Sequence, residues 1–453
     1  MDERVALRLS TPRGRGVVAA AVLGSSVAFL DTTVVNVALS ALGRSLGASF
    51  SGLQWTVDGY LLPLSALLLV GGALGDRFGR RRIFLVGLAA FALASALCCL
   101  APTIEVLVAA RVLQGAAAAL LVPGSLALLR ASFVEVDQPA AVGAWAGLSG
   151  VAAALGPLVG GWLVQSVSWR AIFLLNLPVA AAAAFVTRRC VPETRRVDAG
   201  RLDLAGAAAA FWGLGGITWG LIDLPGTRGV LLLVAGVVGL GVFLLRERRA
   251  PAPMLPLAVF RSRQFSGANL TTLAVYFALG GATFLLVLYL QRVVGYSPLA
   301  AGASLLPVTA LLLVLSPLMG RLLPRIGARL PMTVGPLLAG LGLLLLGGVH
   351  PGMSYWRSVL PGVGLLGAGL GLTVAPLTTT VLSGAGEGFA GVASGINNAV
   401  ARLAGLLAVA LLPLLAGELA DGISEAMGVA AAACAVGALV AAVTVPGRVR
   451  SPA

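Results

Sequence analysis

The feature that most constrains this chain is a succession of long apolar runs that continues almost from one end to the other. A membrane-spanning helix needs about 20 consecutive, mostly apolar residues, and only helices or closed barrels pair every backbone polar group inside hydrocarbon. The chain has fourteen such runs, which predict an all-α integral membrane protein with 14 transmembrane helices. The runs lie near residues 16-43, 55-75, 83-102, 104-130, 139-165, 169-188, 203-223, 229-246, 265-291, 298-320, 331-349, 356-382, 390-416 and 427-446.

The composition agrees with this prediction. Hydrophobic residues make up 58% of the chain and charged residues 11%, against roughly 45–50% and about 25% in soluble domains. Four arginines precede the first run, as they would in a secretory signal peptide, but that run is about twice as long as a signal peptide's apolar region. A second run follows at once. We therefore expect the first run to stay in place as a membrane span.

The positive charge of the chain predicts its orientation. The formal net charge is +14, and every basic residue is arginine. The arginines are dispersed through short loops and form no single basic face, so we expect no nucleic-acid partner. Counted from a cytoplasmic N-terminus, 24 arginines fall on the cytoplasmic side, 5 on the outer side and 2 within spans. The positive-inside rule then predicts cytoplasmic N- and C-termini. The lack of lysine, with many alanines and glycines, is typical of bacteria with G+C-rich genomes and favours a bacterial inner membrane.

The reactive side chains indicate neither a metal site nor an enzyme. The four cysteines, Cys98, Cys99, Cys190 and Cys434, have no paired spacing, and the single histidine, His350, is in a predicted outer loop. No cluster has the spacing of metal ligands. There is also no Ser-His-Asp set and no phosphate-binding loop in the sequence. We therefore expect no metal, no cofactor and no ATP-driven pump within this chain.

Two long cytoplasmic loops divide the chain. They cover residues 187-201 and 246-264 and bracket two of the apolar runs. An internal repeat supports two related halves, because "GALGDRFGRRR" (72-82) and "GRLLPRIGARL" (320-330) share Gly, Arg, Gly and Arg at the same offsets. Related halves are usual in secondary transporters. The predicted parts are a six-helix half at 16-190, two inserted helices at 200-247 and a second six-helix half at 263-446.

Asp31 lies in the apolar stretch "VAFLDTTVVNVAL" (27-39) and is the one acidic residue predicted near mid-membrane, whereas Asp58 is predicted near the outer end of its span. A carboxylate there can take up and release a proton as its surroundings change. The alternative is a permanently paired or protonated Asp31 that only stabilises helix packing. Polar residues at helical spacing predict that this side of the helix faces a cavity. These residues are Ser25, Thr32, Asn36 and Ser40.

Arg111 is the second charge predicted inside a span, in "RVLQGAAAALLVPG". A charge at the bilayer centre costs about 2.5–3.5 kcal/mol on insertion scales, so it needs a partner or water. The alternative is that its side chain extends to the outer membrane surface.

Five segments in order resemble the major facilitator superfamily, and within it the fourteen-helix drug:proton antiporter family (EmrB/QacA type). They are "LDTTVVNVAL", with Ser40 where a proline is usual, "GGALGDRFGRRRIFL", "RVLQG", "GVAAALGPLVGG" and "WRAIFLLNLP". The second half resembles the family less, mainly in "GVASGINNAVARLAG" (391-405). The resemblance implies the major facilitator fold, with two six-helix halves and two extra central helices.

The resemblance also implies roles for individual residues. It assigns proton coupling to Asp31, Arg111 and Gln114. It assigns a cytoplasmic latch between the halves to the loop at 72-82, where Asp76 has become Pro324 in the second copy; plain positive-inside anchoring is the alternative. The latch residues are Gly72, Asp76, Arg77, Gly79, Arg80 and Arg81. The antiporter motif, which packing alone could also explain, comprises Gly150, Gly156, Pro157, Gly160 and Gly161.

Candidate substrate residues come from two stripes on the ninth span. Asn269 and Tyr276 are seven residues apart, as are Phe277, Phe284 and Gln291, so aromatic faces could hold a flat or cationic molecule. Core or lipid-facing rings are the alternative. The polar residues Asn36, Asn397 and Asn398 complete the candidate set. Spans nine to fourteen contain no predicted mid-membrane carboxylate, which favours monovalent or neutral amphipaths, including an antibiotic made by the same cell.

The sequence thus predicts a proton-coupled multidrug or antibiotic efflux transporter that works by alternating access. Its predicted partners are a hydrophobic small molecule, protons and membrane lipids, and the sequence predicts no oligomeric state. One alternative is a lipid or metabolite exporter of the same fold. A non-transporting membrane scaffold or sensor and a membrane enzyme are the others; the buried charges disfavour the scaffold, and the lack of a nucleophile, base or metal cluster disfavours the enzyme.

Overall fold

The fold is seen in a computed structural model that describes residues 7–195, 203–250, 253, 255–386, 390–417 and 419–447. This part of the chain contains fourteen helices long and apolar enough to cross a membrane, which confirms the predicted number. They are α1 Pro12–Leu46, α2 Phe50–Phe78, α3 Arg80–Leu100, α4 Ile104–Ser132, α5 Glu135–Ser166, α6 Ala171–Cys190, α7 Ala205–Ile222, α8 Thr227–Arg249, α9 Arg263–Arg292, α10 Pro298–Ile326, α11 Arg329–Gly347, α12 Tyr355–Gly384, α13 Val392–Ala416 and α14 Leu419–Thr444.

Local signals set the helix ends. At the start of α1 the Thr11 hydroxyl accepts a hydrogen bond from the Gly14 N–H at 3.0 Å, and Pro12 occupies the first turn. Both features satisfy or remove backbone donors that a helix start leaves unpaired. The helix ends where Gly47 takes up a left-handed conformation, with φ of 60°. Other helix starts have the same features. Prolines lie at or near the starts of α5 and α10, and side-chain hydroxyls cap α2, α4, α9 and α10; these residues are Pro139, Pro298, Ser49, Thr103, Ser262 and Ser297.

The chain divides into two compact units. Among the described residues, one unit runs to Leu214, and the other comprises residues 215–249 and the chain from Leu255 onward. The boundary thus falls inside α7, and the predicted limits 16-190, 200-247 and 263-446 stay predictions. We call α1–α6 the first half and α9–α14 the second half.

The same helix pairings occur in both halves. In the first half α1 packs against α5 and α6, α2 against α4, and α3 against α4 and α6. In the second half the pairs are α9 with α13 and α14, α10 with α12, and α11 with α12 and α14. Each second-half helix is the one eight places later in the chain. The repeat that the sequence shows only in a short loop is therefore present throughout the packing.

Glycines permit close approach at the central helix pairs. In the α2–α4 pair, a side chain at Gly115 would collide with the Tyr60 carbonyl. In the α9–α13 pair, an added Cβ on Gly280 would lie 2.8 Å from the Gly405 Cα. Because backbones can approach only where a side chain is absent, these positions fix where the helices cross.

Candidate functional site

The centre of the first half holds a buried ion pair. The Asp31 carboxylate on α1 bonds directly to the Arg111 guanidinium on α4, and each side chain is 1% exposed. Taking either charge alone out of water would be costly, so each side chain explains how the other can be buried. Arg111 is therefore paired within the half and does not extend to the outer surface.

Amide side chains complete the carboxylate's partners. Oδ2 of Asp31 accepts from Arg111, while Oδ1 accepts from Gln114 Nε2 at 2.8 Å and from Asn176 Nδ2 at 3.0 Å. The second N–H of each amide donates to the Ser95 hydroxyl, at 2.8 Å and 3.2 Å. Helices α1, α3, α4 and α6 thus meet at one hydrogen-bonded cluster, which we call the Asp31 cluster.

The sequence predicted three of these five residues. Asp31, Arg111 and Gln114 stand out by charge or motif, whereas Ser95 and Asn176 were missed. Asn176 lies within "WRAIFLLNLP", a segment that was noted without assigning a role to this residue. A polar amide at the start of an apolar helix segment was the available signal.

Arg111 also has partners that do not depend on Asp31. Its Nε donates to the Thr56 carbonyl at 3.0 Å, and its Nη1 donates to Gln114 Oε1 at 2.7 Å. The guanidinium carbon lies 4.4 Å from the centroid of the Tyr60 ring and 5.9 Å from that of Phe173. Aromatic faces attract cations at these distances. A neutral Asp31 would therefore leave the arginine with a carbonyl, an amide oxygen and two rings.

The polar side of α1 is not one surface. Asp31 points between α3, α4 and α6, and Ser25 accepts a hydrogen bond from Trp145 Nε1 on α5 at 2.9 Å. Ser40 is buried, and Thr32 and Asn36 are partly exposed. The cavity-facing arrangement predicted for this side therefore applies at most to Thr32 and Asn36, and the acid itself is enclosed by helices of its own half.

Asp58 on α2 is a second enclosed carboxylate that sequence reasoning placed near the outer end of its span. The predicted span began near residue 55, but α2 begins at Phe50, so Asp58 lies about 12 Å into the helix. It is fully buried, and neither carboxylate oxygen has a hydrogen-bond partner in the described part of the chain. The Ser49 cap, which accepts from the Gly52 N–H, was the signal for the earlier start.

The latch loop (residues 72–82) is held by two acids. Asp76 accepts from Arg80 Nε at 2.8 Å one turn later. Glu193, which follows α6, accepts from the backbone N–H groups of Arg81 and Arg82 at 3.0 Å and 3.1 Å and so caps the start of α3. Glu193 was not among the predicted latch residues.

Gly79 is required by this geometry. Its φ is 104°, and a Cβ there would lie 2.7 Å from a Glu193 carboxylate oxygen. Two other predicted latch residues, Arg77 and Gly72, lie in less crowded surroundings. Arg77 lies over the ring of its neighbour Phe78, with 5.5 Å from guanidinium carbon to centroid, and a Cβ on Gly72 would meet Pro123 on α4 at 3.7 Å.

The antiporter motif packs against the turn of α1 that follows Asp31. A Cβ on Gly156 would collide with the Thr33 hydroxyl, and one on Gly160 would lie 2.7 Å from Val34 Cγ1. Gly161 is buried, Pro157 lies inside α5, and Gly150 is partly exposed. The position of α5 is therefore tied to the segment that carries the acid.

The structure brings only some of the candidate substrate residues together. Asn397 Nδ2 on α13 donates to Thr272 Oγ1 at 2.6 Å and to Asn269 Oδ1 at 3.3 Å on α9. Phe284 is fully buried, whereas Tyr276, Phe277 and Gln291 are partly exposed. Asn398 is exposed and donates to the Ser394 carbonyl of its own helix at 3.0 Å. The two predicted stripes of α9 therefore do not form a single surface.

Comparison with known proteins places the chain in a family. The sequence model described as "Major Facilitator Superfamily" matches residues 21–409. The chain belongs to the Major Facilitator Superfamily. Among the solved structures of this fold, a crystal structure of the peptide transporter POT in complex with sulfate matches with a TM-score of 0.72 and 14% identity, over 96% of each chain. That likeness concerns the fold alone.

Curated relatives of this superfamily member are resistance and export proteins. The "Methylenomycin A resistance protein" of Bacillus subtilis (strain 168) is 37% identical over 397 residues, which are 86% of this chain and 84% of that protein. The "Tetracenomycin C resistance and export protein" of Streptomyces glaucescens is 36% identical over 402 residues, 87% of this chain and 74% of that protein. The chain is thus a membrane transporter by family, and not an enzyme.

Proposed function

We propose that this protein exports hydrophobic or amphipathic drugs or antibiotics in exchange for protons, by alternating access across the inner membrane of a bacterium. Both termini lie in the cytoplasm in this proposal. The buried Asp31 cluster is the observation that carries it, because a carboxylate held inside the membrane beside a guanidinium gives a proton a place to bind. The names of the relatives support the substrate class.

Proton binding at Asp31 would exchange one set of contacts for another. Breaking a buried ion pair by removing one partner typically costs about 3–5 kcal/mol, because the other charge is left uncompensated. Here Arg111 keeps the Thr56 carbonyl, the Gln114 amide oxygen and the Tyr60 ring. These contacts lower the cost of neutralising Asp31, so the carboxylate can take up and lose a proton within one cycle.

Protonation would then change how α1 is held. The charged carboxylate ties α1 to α4 through the ion pair and to α6 through Asn176. The next turn of α1, at Thr33 and Val34, packs against the glycines of α5. A change in the contacts of Asp31 is therefore transmitted to α5, whose Pro157 removes one helix hydrogen bond and permits a bend.

The latch loop has a separate role in this proposal. Asp76, Arg80 and Glu193 hold the cytoplasmic ends of α2 and α3 to the segment after α6. Because both acids act outside the apolar part of the spans, they would set the stability of one conformation without touching the proton or the compound.

The first experiment uses everted membrane vesicles with an acid interior and a pH-sensitive dye, to which lipophilic cations and neutral or anionic antibiotics are added. We expect wild type to release protons when a transported compound is added. Asp31→Asn should insert normally and release none, since an amide cannot carry the proton.

The control for that variant is Glu105→Gln, the same change at an exposed acid in the first turn of α4. It should behave as wild type. Normal proton-linked export by Asp31→Asn would remove this acid from the mechanism. Flux by wild type that is independent of the pH gradient would instead indicate an uncoupled carrier.

A further inference from the structure

We propose that the second half contains a binding subsite for an anionic or acceptor-rich group of the exported compound, with Arg402 as its cation. The inference rests on the proposed function, since it names the chemistry of that function's substrate. The subsite consists of residues from α9 and α13, and we call it the Arg402 subsite. Its members are Asn269, Thr272, Tyr276, Asn397 and Arg402.

The pairing of α9 with α13 places Arg402 beside Tyr276. At one level Asn397 donates to Thr272 and Asn269 on α9. Further along both helices, Gly405 packs directly on Gly280. Arg402 lies between these two levels, just before Gly405, as Tyr276 lies just before Gly280. The arginine and the tyrosine therefore lie at the same level of the α9–α13 pair.

Arg402 lies deep in the membrane. From the bounds of α13, Val392–Ala416, it is about 15 Å from one end of the helix and about 21 Å from the other, at about 1.5 Å per residue. Charged residues at this depth are expensive and usually functional. Structural packing alone would be satisfied by an uncharged side chain at this position.

The charge in the interior of this half has one sign. Residues 263–386 and 390–417 contain no aspartate or glutamate. The carboxylates of the described part of the half are Asp421 and Glu425, within the first two turns of α14. A cationic group entering this region would therefore meet a positive charge, whereas a carboxylate, phenolate or polarised carbonyl would be attracted.

The subsite can be reached and can discriminate. Arg402, Tyr276 and Asn397 are each partly exposed. A guanidinium presents two parallel N–H groups that match a carboxylate, and the hydroxyl of Tyr276 at the same level adds a neutral donor. Tyr276 also supplies an aromatic ring at this level. The best ligand is thus a flat aromatic compound that carries an acidic or carbonyl-rich edge.

The test uses two dyes that share a xanthene ring system but differ in charge, fluorescein as the anion and rhodamine 123 as the cation. Binding to the purified full-length protein is measured by fluorescence anisotropy. We expect wild type to bind fluorescein more tightly than rhodamine 123. Arg402→Gln should weaken fluorescein binding by about tenfold or more, as expected for loss of a charge-assisted hydrogen bond, without weakening rhodamine 123 binding.

Two further variants separate binding from folding. Arg402→Lys keeps the charge but not the paired N–H groups, so it should bind fluorescein more weakly than wild type but more tightly than Arg402→Gln and still prefer it to rhodamine 123, which a misfolded protein would not. Arg357→Gln removes an exposed arginine from the first turn of α12 and should change nothing. No fluorescein binding by wild type, tighter binding of rhodamine 123, or an Arg402→Gln variant with unchanged selectivity would overturn the proposal.

The proton assay distinguishes this failure from failure of the proposed function. Proton release on addition of rhodamine 123, unaffected by Arg402→Gln, would leave the exporter in place and remove the anion subsite. Fluorescein binding that depends on Arg402, in a protein that releases no protons with any compound, would support the anion subsite and count against proton-coupled export.

Discussion

The two halves repeat the same helix pairings but not the same chemistry. In the first half a cation is buried against a carboxylate, with amides from two helices completing the site. In the second half Arg402 lies on α13 between Asn397 and Gly405, at a depth where residues 263–386 and 390–417 supply no carboxylate. The fold therefore provides two similar frameworks, and the side chains assign them different tasks, which we propose are proton binding and substrate binding.

The largest contrast should come from replacing the arginine of each half with leucine. Arg111→Leu leaves the buried Asp31 without its counterion, which typically costs about 3–5 kcal/mol, so we expect a sharp fall in yield and unfolding temperature. Arg402→Leu removes a charge that has no carboxylate counterion among residues 263–386 and 390–417, so it should lower the unfolding temperature less than Arg111→Leu while abolishing fluorescein selectivity. Thermal unfolding of the two purified variants measures the stability effects, and fluorescence anisotropy with the two dyes measures the selectivity.

A double variant sharpens this contrast. Asp31→Asn combined with Arg111→Leu removes both charges of the buried pair and should recover much of the lost stability without recovering transport. Equal stability losses at Arg111 and Arg402 would mean that the two halves use their arginines alike.

A smaller effect is expected where α5 crosses α1. Gly156→Ala places a methyl group against the Thr33 hydroxyl and should destabilise the protein by about 1–3 kcal/mol and impair export. Gly147→Ala on the same helix, where a Cβ meets nothing within 4 Å, is the control. Gly280→Ala probes the corresponding crossing of the second half and should cost a similar amount, since the packing repeats. Chemical unfolding of the three variants measures the stability losses, and the vesicle assay measures the effect on export.

The smallest effect distinguishes two asparagines. Asn176→Leu removes the donor to Asp31 and Ser95, and Asn397→Leu removes the donor to Asn269 and Thr272, each at about 1–2 kcal/mol. Although the stability losses are similar, the functional losses should differ. We expect the first variant to release fewer protons per compound and the second to bind fluorescein more weakly. Identical functional changes in both variants would contradict separate tasks for the halves.

Much of the fold and part of the site follow from the sequence. The number of spans is set by hydrophobicity, which the bilayer makes decisive, and Asp31 and Arg111 are conspicuous because a charge in an apolar run needs an explanation. Ser95 gives no such signal, and the amide of Asn176 gives a much weaker one than a charge does. Their role depends on which helices meet, and helix contacts bring together residues far apart in the chain.

The start of α2 accounts for a second difference between the sequence prediction and the structure. Asp58 was placed near the membrane surface because the apolar run was judged to begin near residue 55, whereas the Ser49 cap starts the helix at Phe50. Glu193 was missed for a different reason. It lies in a polar loop where an acid is ordinary, and only the tertiary fold shows that it caps the start of α3.

The contacts of Arg111 with the Thr56 carbonyl and the Tyr60 ring also have an electrical consequence. In the proposed cycle these partners hold the arginine whether or not Asp31 is charged, so the arginine would not travel through the membrane field. The charge moved would then be that of the proton and the compound alone. Exchange of one proton for one neutral compound moves one elementary charge inward, and exchange for one monoanion moves two. At about 2.3 kcal/mol per charge for each 100 mV, a membrane potential would drive export of the anion about twice as strongly.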